Sequence, residues 1–400
     1  MQKRLVGQIL ALSAAGALAL TACSNGSSGG GGGLASGGNN GGSDSNATYK
    51  IGFEGPLSGD NQQLGINEVN AVELAIDQAN ESGDLPFKLE LVKADDVGDP
   101  AQAPTAAATL LQDTGVLGVV GPSFSGATKA VATSYGEANL VLISPSATND
   151  TLTSEGFKAF HRVVPPDGLE GKELADYLVS KNYSKVVVID DGSDYGTGVS
   201  DTVETAIKAG GKTVQRLSVL ADTKDYGPTA QTIAGSGAQA FFYGGYDAQA
   251  ALLAKAVAAT SYAGDKYTGN GGKSSVFTSG AGDAGNGWFF SCGCADAITS
   301  DAAKDFTAAY KAKWNTDPST YSPEAYDATN AMIEAFKTAA ADGAPTRQTV
   351  FDAVGKLDYK GITTTVKFQE NGELDASSQV INLFEQEDGV IKTLGNIKEQ

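Results

Sequence analysis

Residues 115–148, GVLGVVGPSFSGATKAVATSYGEANLVLISPSAT, decide how the rest of the chain is read. Val116 to Gly121 is a short apolar run. Pro122, Ser123, Phe124, Ser125 and Gly126 form a small-residue loop, and Ala127 to Glu137 has the composition of a helix. A second apolar run, Leu140 to Ile143, leads into another such loop, Ser144-Pro145-Ser146-Ala147-Thr148. Two near-continuous apolar runs separated only by a helix indicate neighbouring parallel strands in a sheet covered on both faces. Both loops then leave the same edge of that sheet, beyond the carboxyl ends of the strands, where open α/β sheets bind ligands. Ser125 stands at the expected N-cap, so the first amides of its helix point outward with partial positive charge, a seat for an anion and most simply a carboxylate. Taken singly, Ser125 and Thr148 are equally compatible with ordinary helix caps; it is two such loops side by side that indicate a site.

The same alternation of strand and helix runs through the chain on either side of this stretch. Tyr49 to Phe53 reads as a strand leaving into Glu54-Gly55-Pro56-Leu57-Ser58-Gly59. A helix follows over about 67–80, then a strand from Phe87 to Lys93 ending at Asp95-Asp96, then a helix over 104–113. After Phe160-His161-Arg162-Val163-Val164-Pro165-Pro166 the alternation restarts: helix 171–181, strand 185–189, a loop carrying Tyr195-Gly196, strand 213–219, helix 226–234, strand 238–243 and a loop carrying Gly244-Gly245-Tyr246-Asp247. Tyr262 to Ser275 reads as a surface loop and Val276 to Ser279 as a strand, with amphipathic helices at 302–314 and 324–341. This pattern implies doubly wound parallel sheets. Tyr195 and Tyr246 sit on Gly-flanked strand exits, where glycine lets a backbone come close and a ring be aimed outward.

Met1 to Ala22 carries Lys3 and Arg4, an apolar core from Leu5 to Leu20, and then Leu20-Thr21-Ala22-Cys23. The core is too short to span a bilayer, so this is an export signal. Its last four residues resemble a bacterial lipobox, which implies cleavage before Cys23 and a lipid on its sulfur. Ser24 to Thr48 is almost entirely Gly, Ser and Asn, a tether with an r.m.s. reach of about 25–30 Å. Loss of Lys3 and Arg4 takes the formal charge from −19 to −21, which disfavours nucleic acid and anionic lipid surfaces as partners. The only other cysteines, Cys292 and Cys294, are either a disulfide or paired thiols; with His161 the single histidine, no metal site or cofactor is expected. Catalysis is not expected either: His161 lies beside Arg162 with no nucleophile elbow nearby, and the adjacent acids Asp190-Asp191 point to opposite faces of a strand.

From Lys50 to Leu394 the order of strings resembles the type I periplasmic binding proteins, specifically the Leu/Ile/Val receptors of ABC importers. Those strings are Gly55-Pro56-Leu57-Ser58-Gly59, Asp95-Asp96 before Asp99-Pro100, Val120-Gly121 with Ser125, Ser144-Pro145-Ser146-Ala147-Thr148, Tyr195-Gly196 and Tyr243-Gly244-Gly245-Tyr246. The resemblance implies an α/β fold of two doubly wound parallel-sheet lobes, 49–164 with 295–359 and 165–294 with 360–400. Three segments join them, crossing near Val164, Phe290 and Gly361. It implies a monomer held to the membrane by the lipid on Cys23, closing on a small amino acid and delivering it to an ABC permease. A sensory receptor of the same fold is the alternative, as is an importer receptor for an amide or aromatic acid. By position, Ser125 and Thr148 with their amides would hold the carboxylate, and the carbonyls of Ser123 and Ser146 would face an ammonium. Phe124 and Ala147 belong to the same two loops, and Tyr195 and Tyr246 would close from the second lobe. The resemblance is imperfect at Leu64, where an aromatic ring often packs on the ligand. It is imperfect again after Val276 to Ser279, where the usual acidic partner is replaced by Ala281, with Asp283 two residues on. The disulfide of some relatives is also missing, Gly98 and Phe124 standing in its place.

Overall fold

The computed structural model describes residues 47–400; the expected signal peptide, Cys23 and all but the end of the tether lie outside them. Strands β1 (Thr48–Gly55), β2 (Lys88–Asp95), β3 (Val116–Val120), β4 (Val141–Ser144) and β5 (Phe160–Arg162) form an all-parallel sheet in the order β2-β1-β3-β4-β5. Strands β6 (Lys185–Asp190), β7 (Thr213–Ser218), β8 (Ala240–Gly244), β9 (Asp265–Thr268) and β10 (Trp288–Cys292) repeat that order as β7-β6-β8-β9-β10. A short hairpin, β11 (Tyr359–Lys360) and β12 (Thr365–Val366), stands apart. Strands β13 (Asn382–Glu387) and β14 (Val390–Asn396) add antiparallel to the β10 edge. In each sheet the order reverses beside its first strand, between β1 and β3 and between β6 and β8, and the carboxyl ends there open a crevice.

The apolar runs form the inner strands because helices cover both their faces. Every residue of β3 is buried. Helix Ser322–Ala341 lies so close over it that a Cβ on Gly118 would run into the Met332 side chain. Phe53, Val72, Phe306, Met332 and Phe336 share one core, so residues beyond β10 complete the first lobe.

Two expectations are corrected. Val276 to Ser279 is not a strand: residues Ser275–Ala281 form a helix, capped by the Ser274 hydroxyl, which accepts from the amides of Val276 and Phe277. A short apolar run cannot be told from a helix by periodicity, and the capping serine decides it. The third crossing does not fall near Gly361. Val366 is buried in the first lobe's core, and Glu373 is paired with Arg162 of β5, so the chain reaches the second sheet only after Asp375, at β13. Cys292 and Cys294, at the second crossing, are buried and disulfide-bonded.

Candidate functional site

The first lobe supplies the loops after β3 and β4. Phe124 is extended (φ −101°, ψ 143°) and is itself the N-cap, so Ser125 is the first residue of helix Ser125–Glu137 rather than its cap. The Ser125 hydroxyl is therefore free of its own helix and accepts from the Asn149 amide at 3.2 Å, tying the two loops together. A second tie runs from Ser146 Oγ to the Ser123 carbonyl at 2.7 Å. That carbonyl, expected to face an ammonium, thus already accepts within the lobe. The Ala147 amide donates to Ser144 Oγ at 3.0 Å. Thr148 is buried, its hydroxyl beside the Asp167 carboxyl without a well-formed hydrogen bond to it.

The second lobe supplies rings. Ser193 caps helix Asp194–Ala209 by accepting from the Gly196 amide, which places Tyr195 in the first turn, aimed into the crevice and only 2 % exposed. Tyr246 is the extended residue before helix Asp247–Ala258. Beyond β9, the Gly269-Asn270-Gly271 turn packs against Tyr195, whose hydroxyl accepts from the Gly271 amide at 3.0 Å. Glycine is required here: a Cβ at Gly269 would lie 2.6 Å from the Tyr195 hydroxyl, and one at Gly271 would lie 2.6 Å from its ring.

The two lobes meet through these groups. Phe124 stacks on Tyr246 with centroids 4.3 Å apart, and Tyr195 tilts against Tyr246 at 5.3 Å. Asn149 Nδ2 donates to the Asp194 carbonyl at 2.7 Å, and the Tyr321 hydroxyl donates to Asn270 Oδ1 at 2.6 Å. Tyr321 holds this position in the left-handed region (φ 67°), where a bulky residue is an outlier and local strain is balanced by its surroundings. Leu64, Ser123, Phe124, Ser125, Ser146, Tyr195, Tyr246, Asn270, Gly271 and Tyr321 enclose a cavity of about 10 Å³, the room of a single water. Eight of the expected residues therefore gather at the crevice or, as Thr148 does, on the loop that forms it; Ala147 is buried behind its loop.

Asp283 does not join them. It is exposed on the turn Gly282–Gly285. Because Val276 to Ser279 is helical, the strand exit that faces the crevice belongs to β9, and the residues there are Asn270 and Gly271. The reading of Tyr262 to Ser275 as a surface loop missed them, although Gly269-Asn270-Gly271-Gly272 carries the same Gly-flanked signal as Tyr246. Tyr321 had no signal: its role depends on a backbone angle and on a partner in the other lobe.

Behind the cavity stand carboxyls starved of water. Glu68 is fully buried, accepts from Ser123 Oγ at 2.5 Å, and burial pushes it up to about 8. Glu170 accepts from the Asn270 amide, Asn270 Nδ2 and Ser291 Oγ, and burial pushes it up to about 7. Asp167 is raised chiefly by burial and then by Glu170. Glu68 and Glu170 brace residues of the crevice rather than lining it, whereas neither oxygen of Asp167 has a hydrogen-bond partner. His161, driven down to about 4 by burial, bonds through Nδ1 to the Ala159 carbonyl and packs on Phe368 at 4.8 Å, a structural role.

Outside the Phe124–Tyr246 ring pair the crevice widens into a chamber of about 470 Å³ between the lobes. A larger cavity, about 690 Å³, lies by the crossing segments among Val163, Pro165, Cys294, Glu324 and Asn382; neither serine-bearing loop of the first lobe reaches it.

The fold and crevice have counterparts. The family model described as "Periplasmic binding protein" matches residues 48–387. The chain belongs to the periplasmic binding protein family. This binding protein is 30% identical over 352 residues to "Leu/Ile/Val-binding protein homolog 3" of Brucella melitensis, covering 86% of this chain and 93% of that one. Among solved structures it resembles the branched-chain amino acid transporter substrate binding protein of Streptococcus pneumoniae in complex with isoleucine: 27% identity, TM-score 0.79, 87% of this chain and 99% of that one. A solute binding protein of R. palustris in complex with benzoate, at 18% identity and TM-score 0.78, covers 88% of this chain and 96% of that one, and shares the fold. The binding protein is thus of the branched-chain amino acid transporter type, and its relatives are substrate-binding proteins. Among the described residues, no helix is long and apolar enough to cross a membrane.

Proposed function

We propose that this is the lipid-anchored receptor of an ABC importer, closing its two lobes on a small amino acid and presenting it to a membrane permease. The observation that carries the reading is the pairing at the crevice of two hydroxyl-bearing loops and a helix N-terminus from one lobe with tyrosine rings from the other. A carboxylate fits the Ser125 helix start, where amide dipoles and hydroxyls converge. Admission of a ligand requires the lobes to part and the Phe124–Tyr246 stack to separate, the hinge closure of binding proteins run in reverse. Each charge-assisted hydrogen bond contributes about 1.5–3 kcal/mol and a buried aliphatic side chain about as much, so a few together reach micromolar affinity. The lipobox and tether support attachment to the outer face of the membrane.

Titration calorimetry against a panel of amino acids, amides and aromatic acids checks this. One compound class binds tightly, and Tyr195→Ala loses at least about tenfold in affinity, or 1.4 kcal/mol, with the ring. Heat from no member of the panel would overturn the reading. A second reading, a ligand lacking an α-ammonium, is favoured by one observation: none of the ten residues around the inner cavity is acidic.

A further inference from the structure

The crevice has two compartments of opposite character, and their arrangement bears on which carboxylate it takes. The inner one is furnished with hydroxyls, amides and rings. An α-ammonium sits two bonds from its carboxylate carbon, so it would be confined there too. The acids nearest to that space are all buried and held toward their neutral forms: Glu68 accepts from Ser123 through one oxygen, Glu170 accepts from Asn270, and Asp167 has no hydrogen-bond partner for either oxygen. An uncompensated ammonium in such a site is costly. The outer chamber, reached past the Phe124–Tyr246 rings, carries five aspartates: Asp60 and Asp99 from the first lobe, Asp191, Asp194 and Asp222 from the second. Lys224 pairs with Asp60 at the rim and leaves the other four without a lysine or arginine partner. Gln249 also lines this chamber; it is 3 % exposed, and its buried Oε1 accepts no hydrogen bond. A buried amide oxygen without a donor is uncommon and marks a place for one. Charge and missing donor agree: the chamber suits a group that is both cationic and rich in N–H.

We propose that the ligand carries its two charges at opposite ends, its carboxylate in the inner compartment and a terminal ammonium or guanidinium in the outer chamber, with its methylenes between the Phe124 and Tyr246 rings once their stack has parted. The proposal rests on the carboxylate-receptor reading and narrows it to ω-amino or ω-guanidino acids. The rings then act as a sleeve around the linker, and the four exposed aspartates, Asp60, Asp99, Asp194 and Asp222, draw the cationic end in without the burial cost an inner ion pair would incur.

Calorimetry with three probes of similar length tests it: pentanoate, leucine and 5-aminopentanoate. 5-Aminopentanoate binds at least about tenfold tighter than either of the others, the worth of one charge-assisted contact. In Asp194→Asn/Asp222→Asn, whose side chains are exposed and outside the inner compartment, that advantage falls below about threefold while pentanoate binding holds. Leucine binding tightest would overturn the inference and leave the amino-acid receptor standing. The same advantage persisting in the double variant would overturn the chamber as the seat of the cation. No binding of any probe or of the amino-acid panel would overturn the carboxylate reading itself.

Discussion

The two lobes repeat one strand order and yet furnish the crevice with different chemistry. The first gives small hydroxyl residues at Ser123, Ser125, Ser146 and Thr148. The second gives Tyr195 and Tyr246 on glycine-rich exits. The difference shows that the fold fixes where side chains converge, at the carboxyl ends beside each switch in strand order, and leaves open what converges there. Under the proposed function, a polar lip against an aromatic one gives closure two tasks: the hydroxyls would orient a guest, and the rings would exclude water around it.

The sharpest way to break the comparison is to remove the brace under the polar lip. Arg162 is completely buried, ion-paired to Glu373, and donates Nη1 to the carbonyls of Ala147 and Asn149 at 3.3 and 2.9 Å. Arg162→Met leaves Glu373 buried without its partner, and denaturant unfolding will show a loss of about 3–5 kcal/mol. Among the described residues no buried arginine stands under the aromatic lip, so substitutions of its rings weaken binding before they weaken the fold.

A smaller effect is expected where the lips touch. Tyr321→Phe removes the hydrogen bond to Asn270 across the crevice and relieves none of the backbone strain. Calorimetry with the best ligand will show a loss of about 0.5–1.5 kcal/mol, carried by faster release. Unchanged affinity and release would mean the bond forms equally in open and closed states.

A further effect is one of pH. Burial raises Glu68 from its ordinary 4.5 to about 8, so the folded chain holds a proton that the unfolded chain gives up. The folded state therefore binds more protons through this window, and stability falls as pH rises from about 4.5 to 8. Glu54 and Asp96, raised mainly by burial to about 8 and 7, act in the same direction. Thermal unfolding will show Tm declining across this range, less steeply in Glu68→Gln. An equal slope in that variant would move the effect to the other two acids.

Much of the architecture was legible in the chain because alternation of apolar strand and helix is a local signal. The polar loops and both tyrosines were legible because each lies at a strand exit marked by glycine, proline or serine. Ser125 was misplaced by one position, since only the backbone angles of Phe124 decide which residue caps. Asn270 and Tyr321 could not be paired from sequence: they lie 51 residues apart and meet across the two lobes. Glu68 sits within, and Glu170 just before, a segment that reads as ordinary helix, where a carboxyl is by default solvated. Asp283 was preferred because the sequence offered an acid; the helix at Ser275–Ala281 carries it away.

The tight seat of Tyr195 against Gly269 and Gly271 also sets the order in which a descendant of this protein can change its diet. Any replacement at either glycine meets the phenol at about the same 2.6 Å, so an acidic newcomer at Gly269 or Gly271 is blocked until Tyr195 has first shrunk or swung away. A lineage that changes either glycine first must pass through a weakened ancestor, and directed-evolution libraries that randomise those two glycines alone will return mostly dead clones.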